Sequence, residues 1–137
     1  MKIASIILFT VLTQFCFAQT KPARIVFDIT SKDTLAHQTV IRHVKGLSEA
    51  YPDAQLEVVI YGGALPMMMT GKSTQATKIQ ELSNNKNISF KVCEGTMKRY
   101  SVTKSQLLPG VGTVPDAIME IVQKQGEGWG YIKEVAN

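Results

Sequence analysis

One cysteine lies where the sequence could support nucleophilic chemistry. In the stretch NISFKVCEGTMKRY, which covers residues 87–100, an apolar run ends at Cys93, and Gly95, Thr96 and basic residues follow. A thiolate is a nucleophile, and a helix N-terminus or nearby cations stabilise it. If residues 94–100 turn helical, the backbone amides of Gly95 and Thr96 point toward the sulfur. The pattern predicts either a reactive thiol or, as for most free cysteines, a small buried core residue.

A glycine pair is the second candidate. Gly62 and Gly63 directly follow the apolar run QLEVVIY at residues 55–61. Glycines at the end of a buried strand permit a tight turn and close approach of the backbone to another group. The pair lacks the spacing and the lysine of a phosphate-binding loop, so we expect a binding turn and not a nucleotide site.

The remaining polar residues predict neither a metal site nor a bound cofactor. His37 and His43 are six residues apart, so they cannot form an i, i+4 pair of metal ligands. The carboxylates show no paired motif for acid–base catalysis. The apolar segment at residues 64–70, which holds three consecutive methionines, is interpreted as core or as a subunit interface.

Residues 1–18 are predicted to be a secretory signal peptide. Lys2 precedes an uncharged apolar stretch at residues 3–17, and the small residue Ala18 precedes the polar Gln19. The stretch is short for a bilayer span, and its flanks are typical of a cleaved signal. We therefore expect a periplasmic or secreted protein with no stable membrane span after signal removal.

Removal of the signal leaves Cys93 as the only thiol. Cys16 departs with the signal, so Cys93 has no intramolecular partner in a compartment that favours disulfides. The remaining residues, 19–137, suffice for a single domain with one core. Loss of Lys2 lowers the formal charge from +4 to +3, and the basic residues are spread along the chain, so we expect no nucleic-acid partner.

The apolar pattern predicts strands that alternate with helices. Strands are predicted at residues 23–30, 55–61, 87–93, 111–114 and 128–135. Helices are predicted at residues 34–50, 73–84 and 115–126, with a short helix or turn at 95–100. The inward residues expected in the last long helix are Ala117, Ile118, Ile121 and Val122. This alternation indicates an α/β domain with a mostly parallel sheet and helices on both faces.

In such a sheet, ligands bind beyond the carboxyl ends of the strands. The predicted strands bring residues 30–33, the Gly62-Gly63 pair and Cys93 to that edge. Cys93 is therefore placed as a functional residue would be.

Several segments together resemble the DsrE/DsrF-like family of small sulfur-relay proteins. The segments are ARIVFDIT, VVIYGGAL, ISFKVCEGTMKRY, GVGTVPDAIMEIVQKQ and GEGWGYIK. The chain looks like the exported, single-domain branch of this family. Members of that branch carry a Cys-x-x-Thr segment, here Cys93 to Thr96, and end in a Gln-x-Glu-Gly-Trp-x-Tyr-Ile pattern, here residues 125–132.

The resemblance implies a three-layer α/β/α fold with a roughly five-stranded sheet and flavodoxin-like layering. It also implies that the protein forms oligomers, and we expect a homo-oligomer. In sulfur-relay members a cysteine after the central strand carries persulfide sulfur, and Cys93 matches that position. No cofactor is implied.

Three functions stay open at this point. In the first, Cys93 accepts sulfur from a thiol-bearing protein or a small sulfur compound, and the amides of Gly95 and Thr96 with the Thr96 hydroxyl stabilise the negative sulfur. In the second, the protein is a non-enzymatic binding or assembly module whose site Cys93 merely lines. In the third, it is a redox sensor that forms an intermolecular disulfide. Only the first would give a transferase-like activity.

Overall fold

A computed structural model describes residues 21–135 of the chain. The predicted signal peptide, residues 1–18, lies outside the described residues. Five strands form one sheet in the order β4-β3-β2-β1-β5, and every neighbouring pair is parallel. The predicted α/β fold with a five-stranded sheet is confirmed, and the sheet is entirely parallel.

The strands and helices alternate along the chain. The strands are β1 (Arg24–Ile29), β2 (Gln55–Ile60), β3 (Ile88–Cys93), β4 (Gly112–Val114) and β5 (Gly130–Glu134). The helices are α1 (Thr34–Ala50), α2 (Ala76–Ser83), α3 (Glu94–Arg99) and α4 (Ala117–Gly126). Two 3₁₀ helices, Gly62–Met68 and Lys104–Gln106, lie between them. Within residues 21–135, no helix is both long enough and apolar enough to cross a membrane.

Helices cover the two faces of the sheet unequally. On the face that we call the α1 face, Phe27 and Ile60 belong to a large core cluster with α1, α2, α3 and the first 3₁₀ helix. On the opposite face, the α4 face, Val26, Val59 and Cys93 pack with α4 alone in a much smaller cluster. This division follows from the strand order. The connections that join β1, β2, β3 and β4 all step across the sheet in the same direction, whereas the connection from β4 through α4 to β5 crosses back to the other side of β1. Because connections between parallel strands are right-handed, the one that crosses back places its helix on the opposite face.

Short-range hydrogen bonds fix where the two long helices begin. The Asp33 carboxylate accepts a hydrogen bond from the Leu35 amide at 2.8 Å, and this caps α1. The Asp116 carboxylate accepts one from the Met119 amide at 2.9 Å and caps α4 in the same way. The predicted start of α1 at residue 34 is confirmed.

The predicted inward face of α4 was partly wrong. Ala117 and Ile121 are buried, whereas Ile118 is 60% exposed and Val122 is 52% exposed. Ala117 and Ile121 are one turn apart and lie on one narrow stripe, and Ile118 and Val122 lie about 100° around the helix. Because no other helix of residues 21–135 packs on this face beside α4, only the narrow stripe reaches the sheet.

Gly63 provides a test of how closely the loops at the carboxyl edge are packed. A Cβ added to Gly63 would lie 3.0 Å from the Thr30 carbonyl oxygen and 3.3 Å from the Lys32 amide nitrogen, both backbone atoms. We expect Gly63→Ala to lower the free energy of unfolding by about 1–3 kcal/mol, the usual cost of overpacking. Urea denaturation followed by circular dichroism measures this.

The matched control is Gly46→Ala, in the interior of α1. A Cβ at Gly46 meets no atom within 4 Å. There the same substitution should raise the free energy of unfolding by about 0.5–1 kcal/mol, because alanine has the higher helix propensity. If Gly63→Ala were as stable as the parent, the close packing of this edge would be disproved.

Candidate functional site

The candidate site lies at the carboxyl edge of the sheet, where neighbouring loops diverge. After β3 the chain enters α3, whose Met97 packs into the core of the α1 face. After the adjacent β4 it enters α4, which covers the opposite face. In open parallel sheets, ligands bind at the strand ends where two adjacent connections diverge to opposite faces. Cys93 is the last residue of β3 and lies at this point.

Cys93 is largely buried on the α4 face. It is 8% exposed and packs with Val59 and Ala117, and Tyr61 packs against the same cluster. Its backbone occupies the N-cap position of α3. A Cβ added to Gly95 would lie 3.5 Å from the Cys93 sulfur, so the backbone of Gly95 is beside the sulfur. Cys93 therefore combines the burial of a core residue with a position at the strand ends.

The four predicted binding residues separate into two groups. Gly95 lies beside the sulfur of Cys93, whereas the Thr96 hydroxyl accepts a hydrogen bond from the Gly62 amide at 3.1 Å. Gly63 packs against the backbone of Thr30 and Lys32. Gly62, Gly63 and Thr96 thus form a junction between the ends of β1, β2 and β3. Gly62 has φ +59, a conformation that favours glycine.

The negative charge next to Cys93 is paired. Glu94 accepts a hydrogen bond from the Thr113 hydroxyl at 2.7 Å and forms an ion pair with Lys104 at 3.0 Å. The Thr113 hydrogen bond, followed by the contacts with Lys104, lowers the pKa of Glu94. Glu94 therefore stays ionised and locally neutralised.

A half-buried lysine lies on the same side of β3 as Cys93. Lys91 precedes Cys93 by two residues, and alternate side chains of a strand share a face. A Cβ on Gly112 would come within 3.1 Å of the Lys91 ammonium nitrogen, so the Lys91 side chain lies across Gly112. Among residues 21–135, Lys91 forms no ion pair.

A polar cluster that the sequence analysis missed lies on the α4 face. Asp28, 4% exposed in the interior strand β1, accepts a hydrogen bond from the Tyr131 hydroxyl at 2.7 Å. Its other oxygen accepts one from the Lys133 ammonium at 2.9 Å. The Tyr61 hydroxyl lies 3.4 Å from the oxygen that Tyr131 contacts. We call these four residues the Asp28 cluster. It adjoins the Cys93 cluster because Tyr61 contacts both.

The carboxylate of Asp28 changes how both tyrosines titrate. The hydrogen bond that Tyr131 donates to Asp28 is the largest of the causes that raise the pKa of Tyr131 to about 12. Burial, followed by the charge of Asp28, raises the pKa of Tyr61. Both phenols therefore remain donors at neutral pH. The sequence alone indicates that Asp28 lies on the same face of β1 as Val26, two residues before it. It does not indicate the partners of Asp28, because these depend on the β1–β5 register.

A cleft opens on the α1 face at the same edge of the sheet. It has a volume of about 320 Å³. Its principal lining residues are Lys32, Gly62, Gly63, Leu65, Met69 and Val102. Cys93 and Gly95 are not among its lining residues, so Gly62 and Gly63 face a different space from the predicted nucleophile.

The histidines have local structural partners. His37 Nε2 donates a hydrogen bond to the Ser31 carbonyl at 2.8 Å, and His43 Nδ1 lies 2.7 Å from a carboxylate oxygen of Glu134. Within the described part of the chain, no group of three or more His, Cys, Asp or Glu side chains could hold a metal ion.

Comparisons with known proteins agree on one family. The profile of the DsrE/DsrF-like family matches residues 26–133. Among solved structures, the chain is similar to the protein of unknown function MTH1491 from Methanobacterium thermoautotrophicum, with 28% identity and a TM-score of 0.76. That alignment covers 81% of this chain and 98% of the other. The search of curated proteins found no match.

Two more distant structures share the fold. The ychN protein from E. coli has 14% identity and a TM-score of 0.67, and the alignment covers 83% of this chain and 99% of that one. A conserved protein of unknown function, BT1422 from Bacteroides thetaiotaomicron, has 10% identity and a TM-score of 0.65. Its alignment covers 80% of this chain and 93% of that one.

The Asp28 cluster can be tested by titrating Tyr131. Absorbance at alkaline pH, taken as the difference between the parent protein and Tyr131→Phe, should show a phenol with a pKa of about 12. In Asp28→Asn the acceptor charge is absent, so the same difference should move toward the ordinary value of 10.0. A step near 10.0 in the parent protein would contradict the hydrogen bond.

The same hydrogen bond predicts a dependence of stability on pH. Because folding raises the pKa of Tyr131, its contribution to stability is complete below pH 10.0 and is lost as the pH rises through about 12. Denaturation of the parent and Tyr131→Phe proteins across this range should show their stabilities converging. A constant difference would place the stabilisation elsewhere.

Proposed function

This chain belongs to the DsrE/DsrF-like family, and from that premise we propose that it is an exported protein that carries sulfane sulfur on Cys93. The family gives it a fold related to sulfur relay. The observation that carries the proposal is the position of Cys93 at the carboxyl end of β3, beside the Gly95 backbone.

Carriage by one cysteine requires two balanced exchanges. In the first, the Cys93 thiolate attacks the outer sulfur of a donor persulfide or polysulfide. A new S–S bond forms on Cys93, the donor's own S–S bond breaks, and the rest of the donor leaves as a thiolate or a shorter polysulfide anion. In the second, an acceptor thiolate attacks the outer sulfur of the Cys93 persulfide, and the Cys93 thiolate is restored. No net oxidation occurs, and no second cysteine of this chain is needed.

The charges around Cys93 support a role for an anionic sulfur. Glu94 is paired with Lys104, and Asp28 is paired with Lys133. Lys91, on the same side of β3, is left without an ion-pair partner among the described residues. We propose that its positive charge, with the Gly95 backbone, stabilises a negatively charged sulfur on Cys93.

The burial of Cys93 bears on the donor. At 8% exposure the sulfur offers little surface, which favours a small sulfur compound as donor. A thiol-bearing protein remains the proposed acceptor, and its approach would require a shift of the neighbouring α3 or α4. We further propose a homo-oligomer, because Ile118, Met119 and Val122 leave the outer side of α4 apolar and exposed.

The second candidate is a binding or assembly module in which Cys93 is a core residue. The specific observation in its favour is that Cys93 packs among apolar side chains and does not line the cleft. The same burial disfavours a redox sensor, because an intermolecular disulfide needs an accessible sulfur.

Sulfur carriage is tested by intact-mass measurement after treatment with inorganic polysulfide. We expect the mature protein to gain one or more sulfur atoms, removable by dithiothreitol, and the Cys93→Ser variant to gain none. Iodoacetamide labelling of the same preparation reports whether the sulfur is reachable.

The two readouts separate the candidates. Alkylation of Cys93 without any sulfur adduct would refute carriage and favour the binding module. Absence of both reactions in the folded protein, with alkylation restored in urea, would identify Cys93 as a core residue. A dimer that a reductant converts to monomer would instead indicate the redox sensor.

A further inference from the structure

We propose that the cleft on the α1 face binds a small organic acid, with an anionic head group on a short apolar body. This site goes beyond the carriage of sulfur, because Cys93 faces the opposite side of the sheet. The cleft volume of about 320 Å³ lies at the lower end of the range for small-molecule sites, which suits a small organic acid.

Apolar side chains line the body of the cleft. Leu65 and Met69 are 2% and 5% exposed and belong to the main core cluster, against which Val102 packs. Burial of an alkyl or aryl group against these side chains is favourable at about 25 cal/mol per Å² of apolar surface. Gly62 and Gly63 also line the cleft.

The charged residues of the cleft are all positive. Lys32 and Lys72 both line it, no carboxylate lines it, and neither lysine forms an ion pair within residues 21–135. The nearest acid along the chain, Asp33, is engaged as the cap of α1. An anion between the two ammonium groups would supply the missing countercharge, whereas a cation would be repelled.

The walls of the cleft are held by contacts that exist without a ligand. The backbone of Lys32 packs against Gly63, and Met69 pairs with Leu107 in an isolated antiparallel bridge. The Thr70 amide also donates a hydrogen bond to the Gln106 carbonyl at 2.9 Å. A preformed cleft loses little conformational entropy on binding, which favours affinity for a small ligand.

The test compares two ligands with the same chain length, octanoate and 1-octanol. Chemical shifts of backbone amides, followed during titration, give both the affinity and the location. We expect saturable shifts near Met69 and Val102 for octanoate, with a weaker interaction for octanol. Octanoate binding should weaken as salt rises, because the two lysines are exposed.

Two double variants separate a specific site from general charge. In Lys32→Ala/Lys72→Ala the dissociation constant for octanoate should rise roughly two- to thirty-fold, and that for octanol should change little. The matched control is Lys78→Ala/Lys86→Ala, which removes the same charge from exposed lysines that do not line this cleft. The control should bind octanoate as the parent does.

The result that overturns the proposal is equal affinity for octanoate and octanol, equal losses in the two double variants, or no saturable shift at the cleft. The Cys93→Ser variant should bind octanoate unchanged. Intact-mass measurement reports sulfur carriage and the amide titration reports acid binding, so either proposal can fail without the other.

Discussion

Burial of the interior strands β1 and β2 on both faces of the sheet is the constraint on which the rest of the structure depends. β1 and β2 lie inside the sheet, and residues such as Phe27 and Val59 on opposite faces are completely buried. Parallel strands with both faces apolar need helices on both sides. The chain meets this need by returning its last crossover over the face opposite α1. The same geometry brings every strand end to one edge, where Cys93 and the Gly62-Gly63 turn lie.

Much of the fold could be predicted from local patterns, whereas the site required the register. Apolar runs bounded by glycine and capping residues located the strands and α1, and the end of β3 at Cys93 was predicted correctly. The Asp28 cluster could not be predicted, because Asp28 meets Lys133 only through the β1–β5 register, 105 positions away. The buried side of α4 was predicted to be wider than it is. The apolar pattern cannot show that α4 packs on its face of the sheet with no other helix of residues 21–135 beside it.

The edge of the sheet carries two distinct environments that share one junction. On the α4 face, Cys93 lies in a cluster against which Tyr61 packs, and Tyr61 also reaches Asp28. On the α1 face, the cleft is lined by Lys32 and Lys72, which form no ion pair within residues 21–135. The hydrogen bond from the Gly62 amide to the Thr96 hydroxyl ties the turn after β2 to the helix after Cys93. The sequence placed Gly62 and Cys93 at the same edge, but which face each served depended on side-chain direction at the strand ends.

The central position of β1 also has a consequence for biosynthesis. Of the strands within residues 21–135, β1 leaves the ribosome first, and it becomes an interior strand only when β5, the last of them, pairs with it. Until then one side of β1 is an open sheet edge, and Asp28 lacks both Tyr131 and Lys133. A nascent or truncated chain without β5 therefore exposes unpaired backbone and a poorly partnered carboxylate at the middle of its future core. Such an edge readily pairs with other chains, so the pairing of β5 with β1 protects the sheet from misassembly.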